Sequence, residues 1–177
     1  MSPLVEIRDL KVEATTDAGR RVEIIKGVSF EIAPGEIVAL IGESGSGKTT
    51  IALTLLGYTR TGCRITGGSV SVDGRDMAAL SEKERAKVRG VAVSYVPQSA
   101  AAAFNPAQRI MDQVIEITRI HELMPRAQAE AKAVDLFRAL SLPSPEPIGG
   151  RYPHQVSGGQ LQRLSAAMAL IGDPKVV

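Results

Sequence analysis

A glycine-rich segment around residue 45 carries the residue types that bind polyphosphate. In Gly42-Glu43-Ser44-Gly45-Ser46-Gly47-Lys48-Thr49, two glycines with four residues between them are followed at once by a lysine and a threonine. Glycines leave backbone N–H groups accessible, so several donors can converge on one small anion. Lys48 adds a cation for phosphate, and Thr49 offers Mg²⁺ an oxygen ligand. The spacing predicts a site for a polyphosphate and magnesium.

The sequence on either side of this loop has the pattern expected around a phosphate site. Residues 37–41 are five consecutive apolar residues, which predicts a strand buried on both faces of a parallel sheet. Residues 48–57 have helix-compatible composition and end at Gly57, which fits a C-cap. The helix start would direct its partial positive charge at the anion. A flexible glycine linker is the alternative, but a linker would not follow a buried apolar run.

A second helix start lies far downstream, at Val156-Ser157-Gly158-Gly159-Gln160-Leu161-Gln162. Ser157 is a suitable N-cap, and two glycines follow it in what would be the first turn. The predicted apolar face consists of Leu161, Leu164, Met168 and Ile171. This segment is either a second anion-binding helix start or a plain N-cap after a loop.

Together these two segments resemble the ATPases of ABC transporters, whose signature motif is usually written Leu-Ser-Gly-Gly-Gln. The resemblance implies that ATP and Mg²⁺ are the cofactors and that two subunits pair head to tail, each signature completing its partner's site. The residues implied to bind nucleotide within one chain are Gly42, Glu43, Ser44, Gly45, Ser46, Gly47, Lys48, Thr49 and Thr50. Those implied to bind it in trans are Ser157, Gly158, Gly159 and Gln160.

A third segment, Tyr95-Val96-Pro97-Gln98, resembles the family's Q-loop. The resemblance implies that Gln98 and Thr49 bind magnesium, and that Lys48 and Gln98 take part in catalysis. A surface glutamine is the alternative. Residues 100–106 (Ala-Ala-Ala-Ala-Phe-Asn-Pro) lie where the family contacts its membrane subunit, or equally pack inside the helical lobe.

Within the family, the chain is most similar to the importer ATPases for peptides or nickel. The similarity is carried by the phosphate loop, by Phe104-Asn105-Pro106 and by Tyr152-Pro153-His154-Gln155 before the signature. It implies a second ATPase subunit, transmembrane permease subunits and, indirectly, an extracytoplasmic binding protein as partners. The implied location is the cytoplasmic face of the plasma membrane. No nucleic-acid partner is expected, because the net charge is only +2.

The expected fold is α/β: a P-loop NTPase (RecA-like) core with an N-terminal antiparallel β subdomain and an inserted α-helical subdomain. Alternating segments at 4–12, 22–32 and 69–74 predict strands, the first two joined by a turn at Asp17-Ala18-Gly19. Residues 90–96 predict another strand, and Ser81 should cap a charged helix. Two amphipathic helices are expected around 110–117 and 134–140. The predicted domains are a nucleotide-binding core (1–98 and 157–177) and a helical subdomain (99–156).

Two departures from the family pattern qualify these expectations. Nothing aromatic precedes Phe30, so the usual stacking of adenine on an aromatic ring is not expected. The family's next strand carries the Walker B aspartate and the catalytic glutamate, and the switch histidine follows later; the sequence ends at Val177 before any of them. A C-terminally truncated chain that binds phosphate but is inactive and unstable alone is therefore expected. A soluble ABC ATPase acting on nucleic acid or ribosomes and a non-catalytic nucleotide-binding module remain as alternatives.

Overall fold

The computed structural model describes residues 2–16 and 19–177, which form two compact units, Met1–Val93 and Ser94–Val177. Asp17 and Ala18, in the predicted hairpin turn, lie outside the described residues. Among the residues described, no helix is both long enough and apolar enough to cross a bilayer. The assignment of residues 157–177 to the nucleotide-binding core stays a prediction.

The first unit is built on a four-stranded antiparallel sheet in the order β2-β1-β3-β4. The strands are β1 (Val5–Thr15), β2 (Arg21–Ile32), β3 (Cys63–Val72) and β4 (Arg75–Asp76). Central β1 pairs with both neighbours, so that Val5 lies opposite Ile32 on β2 and Val72 on β3. Asp73 and Gly74, both with positive φ, make the tight turn into β4. The predicted antiparallel β subdomain is confirmed.

Strand β1 keeps one face buried despite an irregular sequence pattern. Val5 and Ile7 are buried at odd positions, whereas Leu10 and Val12 are buried at even positions. The change occurs at a β-bulge, where Asp9 has a φ of 43° and the pairing register shifts. The extra residue returns the alternation to the same face, so all four side chains enter one core.

Two short helices complete the first unit, α1 (Lys48–Thr54) and α2 (Glu82–Val88). Helix α1 ends as predicted at Gly57, which has a φ of 63°. The N–H of Gly57 donates to the Thr54 carbonyl (2.9 Å) and that of Tyr58 to the Leu53 carbonyl (3.1 Å), which is a Schellman ending. Ser81 caps α2 as predicted.

Two strand predictions were wrong. Residues 37–41 form no strand, and Ile37 and Ile41 are 97% and 94% exposed. Among the described residues no strand pairs with this run, and an apolar run without a hydrogen-bonding neighbour does not fix a strand. Residues 90–93 form a turn in which Ala92 N–H donates to the Val88 carbonyl (2.8 Å). Beyond that turn, Ser94 N–H donates to the carbonyl of Val176, near the other end of the second unit's sequence (2.9 Å).

The second unit is helical. Its helices are α3 (Ile110–Val114), α4 (Glu116–Ile120), α5 (Arg126–Ala139), α6 (Pro145–Ile148) and α7 (Gly158–Leu170). The helix predicted around 110–117 is divided at Ile115, where ψ is 1°, so two short helices replace one. The helix predicted around 134–140 is confirmed as the second half of α5. The core of the second unit includes Phe137, Leu164 and Ile171, each 0% exposed.

A buried glutamine holds the loop that precedes α3. Gln113 is 6% exposed. Its Oε1 accepts from Asn105 N–H (2.7 Å), and its Nε2 donates to the carbonyls of Asn105 and Gln108 (both 3.0 Å). One side chain therefore satisfies the backbone of a loop that has no regular secondary structure to do so.

Replacing Gln113 with leucine should loosen this loop, because a leucine of similar size leaves the Asn105 N–H and the Gln108 carbonyl without their partner. We expect the opening free energy of residues 104–114 to fall by about 2–3 kcal/mol, measured by amide hydrogen exchange in the full gene product. Gln128→Leu, at an exposed glutamine of α5, is the control. Equal protection in the two variants would contradict the role given to Gln113.

Candidate functional site

The predicted phosphate loop adopts a compact turn ahead of α1. Gly45 and Gly47 have φ values of 84° and 91°. Ser46 N–H donates to the Glu43 carbonyl (3.2 Å). Lys48 Nζ donates to the carbonyls of Gly42 (2.8 Å) and Glu43 (2.7 Å). The lysine ammonium therefore lies against the loop backbone, bound to neutral acceptors that a charged phosphate oxygen can displace.

Gly47 is required where the loop meets the sheet. A Cβ on Gly47 would lie 2.4 Å from Ile25 Cδ1 and 3.3 Å from Ile24 Cγ2, both side chains of β2. The positive φ of Gly47 is also one that residues with a side chain rarely adopt. The edge strand of the antiparallel sheet thus packs directly on the last residue of the loop, which fixes where α1 begins.

Helix α1 begins without a side-chain cap, because its N-cap residue is Gly47. The first intrahelical bond is from Ile51 N–H to the Gly47 carbonyl (2.9 Å). The N–H groups of Lys48, Thr49 and Thr50 therefore have no acceptor within the helix. These donors, with the Lys48 ammonium, fit a triphosphate. The exposed Thr49 hydroxyl fits magnesium, whereas the Thr50 side chain is buried in the unit.

The start of α7 is capped by its own side chains. Ser157 Oγ accepts from Gln160 N–H (3.2 Å), and Gln160 Oε1 accepts from Ser157 N–H (2.8 Å). Helix α2 has the same capping box between Ser81 and Glu84. There the Ser81 hydroxyl and backbone N–H hydrogen bonds lower the pKa of the Glu84 carboxyl, which stays ionised. Gln160 makes the equivalent contact without a negative charge.

The two glycines in the first turn of α7 are not required by the chain itself. A Cβ on Gly158 or Gly159 would meet no atom within 4 Å, and both residues are exposed. Glycine in a helix costs up to about 1 kcal/mol relative to alanine. No atom of the described chain fills the space beside these two glycines, so the first turn of α7 is open to solvent there.

Gln98 is exposed, in the same unit as the start of α7. The residue before it is linked to α7, because Gln162 Nε2 donates to the Pro97 carbonyl (3.4 Å). The phosphate loop, residues 42–50, belongs to the first unit. The structure therefore brings the predicted site residues together as two groups, one in each unit.

Residues 100–106 were expected either to contact a membrane subunit or to pack inside the helical lobe, and the structure shows both buried and exposed residues among them. Ala100 and Phe104 are buried in the helical core at 6% exposure each. Asn105 and Pro106 are exposed. Ala101 and Ala102 are also exposed, so the segment packs inward at Ala100 and Phe104 and presents much of the rest of its surface to solvent.

Sequence reasoning missed the side chains that hold these segments. Gln113 fastens the loop before α3, and Arg163 of α7 donates to the carbonyls of Ser141 (2.5 Å) and Gly159 (3.2 Å). Arg109 binds the Gly150 carbonyl (3.0 Å). The Arg109–Gly150 and Arg163–Ser141 contacts join residues 41 and 22 positions apart, and the others bind backbone nearby in the sequence. A single sequence carries no periodic or spacing signal for either kind of contact.

Comparison with known proteins identifies the family. The profile described as ABC transporter matches residues 25–177. The oligopeptide transport ATP-binding protein AppD of Bacillus subtilis is 35% identical over the whole chain, which spans 54% of AppD. The peptidoglycan transport ATP-binding protein YejF of Agrobacterium fabrum is 38% identical over 99% of the chain and 32% of YejF.

Among solved structures, the chain is similar to MJ0796, described as a bacterial ABC transporter cassette and solved as a dimer. The TM-score is 0.81 at 22% identity, covering 96% of this chain and 70% of that one, which shows a shared fold. The chain spans 29% to 54% of the length of the curated relatives it matches. With a family profile covering residues 25–177 and relatives similar along its whole length, the chain belongs to the ABC transporter family.

Proposed function

We propose that this chain is the nucleotide-binding part of an ATPase subunit that drives an importer of peptides or nickel, with peptides favoured. The favoured cargo rests on the names of the relatives, which are oligopeptide and peptidoglycan transport proteins. The observation that carries the ATPase proposal is the pair of glycine-flanked helix starts, at α1 and α7. Each leaves N–H donors accessible to an anion.

In this proposal the two helix starts act on the same nucleotide from different subunits. The loop of one subunit, Gly42 to Thr50, holds the triphosphate with its N–H groups and Lys48. The partner's Ser157, Gly158, Gly159 and Gln160 approach the γ-phosphate from the other side. The open first turn of α7 supports this arrangement, since a Cβ there would obstruct a ligand and meets nothing in its own unit. Nucleotide then favours the closed pair.

The chain's own residues would bind and orient rather than take a proton. Lys48 is a cation with donors only, and the amide of Gln98 is not basic. Thr49 and Gln98 supply oxygen ligands that suit magnesium, which neutralises phosphate charge when bound. We therefore propose that these 177 residues bind Mg-ATP, and that hydrolysis needs a base they do not contribute.

The further partners follow from the same proposal. They are a second ATPase subunit, identical or different, and transmembrane permease subunits that receive the conformational change. An extracytoplasmic binding protein would act through the permease. The proposed location is the inner face of the plasma membrane, held there by the permease.

Replacing Lys48 with alanine should abolish ATP-dependent uptake, because it removes the cation nearest the phosphates. We expect ATP turnover of the full gene product to fall by at least about a hundredfold, measured in membrane vesicles containing the permease. Lys83→Ala, which removes an equal charge from exposed α2, should leave turnover unchanged. Uptake unaffected by Lys48→Ala would refute the proposal, as would co-purification with ribosomes instead of membranes.

Replacing Gly159 with alanine should separate stability from function. The added methyl meets no neighbour, so the melting temperature should stay the same or rise, consistent with up to about 1 kcal/mol of helix stabilisation. ATP turnover should fall about tenfold or more, because the partner's γ-phosphate loses close access. Lys83→Ala occupies the equivalent helix position in α2 and serves as control. Normal turnover in Gly159→Ala would contradict approach in trans.

A further inference from the structure

The segment ahead of the signature is fastened to the first turn of α3 by three consecutive residues. Arg109 Nη1 donates to the Gly150 carbonyl (3.0 Å). Ile110 N–H donates to the Arg151 carbonyl (2.9 Å), and Met111 N–H to the Gly149 carbonyl (2.8 Å). We call residues 149–151 the strap. The Gly149 and Arg151 carbonyls satisfy N–H groups of α3 that have no acceptor within that helix, and the Gly150 carbonyl accepts from the Arg109 side chain.

The strap lies unusually close to α3, and one glycine makes this possible. A Cβ on Gly149 would lie 2.7 Å from Met111 Cε and 3.1 Å from Met111 Cβ. Gly149 is itself buried. Substitution would push the strap away from α3, so the contact between them is tight and specific.

Arg109 is the only one of the three donors that acts through its side chain. Its guanidinium also lies over the Tyr152 ring, 5.6 Å from the centroid. The Tyr152 ring in turn stacks on His154 at 5.7 Å and an interplanar angle of 12°. Arg109 therefore holds the strap carbonyl and the aromatic pair that follows it.

From the strap to Ser157 the chain has little freedom. Residues 153–155 form one 3₁₀ turn, closed by Gln155 N–H to the Tyr152 carbonyl (2.9 Å) and by Gln155 Oε1 accepting from Tyr152 N–H (2.8 Å). Pro153 is buried, and Val156 packs against the helical core. A displacement of the strap should therefore also move Ser157, the N-cap of α7, which follows it closely in the chain.

We infer that Arg109 is a positioning residue for the signature: it fixes the Ser157 end of α7 relative to α3 and to the loop that Gln113 holds. This inference rests on the proposed function, since it assumes that the start of α7 contacts nucleotide in the partner subunit. Arg109 also links the segment after Gln98 to the signature within one unit. Movement of residues 98–109 is thereby passed to the helix start that faces the partner.

The test compares Arg109→Ala with Arg109→Lys and Arg119→Ala in the full gene product with its permease. Arg119 is on the same helical block with a side chain 80% exposed, so its loss controls for charge. Arg109→Ala should lower kcat for ATP about tenfold. Affinity for ADP, which needs only the subunit's own loop, and the melting temperature should stay within error. Lysine retains a donor for the Gly150 carbonyl and should restore kcat to within about threefold of wild type.

Three results would overturn the inference while leaving the proposed function intact. One is equal kcat in Arg109→Ala and Arg119→Ala. The second is a loss of ADP affinity and melting temperature in proportion to kcat. The third is failure of Arg109→Lys to restore turnover. If Arg109→Ala does not fold, Tyr152→Leu replaces it, with an expected loss of about threefold in kcat; unchanged turnover there contradicts the inference.

A measurement that needs no turnover separates this inference from the proposed function. Amide exchange of residues 156–161 should be faster in Arg109→Ala than in wild type, and unchanged in Arg119→Ala. A wild-type protein without ATP turnover would refute the proposed function alone. Unchanged exchange in Arg109→Ala would refute the positioning role, whatever the turnover.

Discussion

The first N–H groups of a helix have no hydrogen-bond acceptor within the helix. What each helix start can bind depends on whether other groups of the chain accept from these N–H groups. At α2 the Glu84 carboxylate and Ser81 satisfy them within the chain. At α1 a glycine N-cap leaves them open. At α7 a neutral capping box satisfies part of the start, and two glycines leave the rest accessible. We propose that the starts of α1 and α7 are where an external anion binds.

The remaining architecture holds these two starts in place by backbone contacts. Strand β2 packs on Gly47, so the sheet fixes where α1 begins. Arg163 donates to the Ser141 carbonyl just after α5 and so links α7 to the end of that helix. Arg109 and the strap hold the approach to Ser157. In each case a side-chain hydrogen bond or close packing fixes the position of backbone that forms no regular ladder, and so holds the segments that present the donors.

Helix caps were predictable from the sequence, whereas strand pairing and contacts between separate segments were not. The caps at Ser81 and Ser157 follow from short-range rules and are confirmed. Residues 37–41 have the composition of a buried strand, but a strand needs a neighbour, which the described residues do not supply. Arg109 and Gly149 join distant segments of the helical unit, and Gln113 binds the irregular loop just before its own helix. Their roles depend on geometry that no spacing in one sequence reveals.

The central claim is that one nucleotide is held between a loop and a signature from different subunits. The most direct test is to measure the molecular mass of the full gene product in solution with Mg²⁺, once with an ATP analogue that cannot be hydrolysed and once with ADP. We expect dimers that retain the analogue, and monomers with ADP. A protein that retains the analogue as a monomer, or pairs equally with ADP, would contradict it.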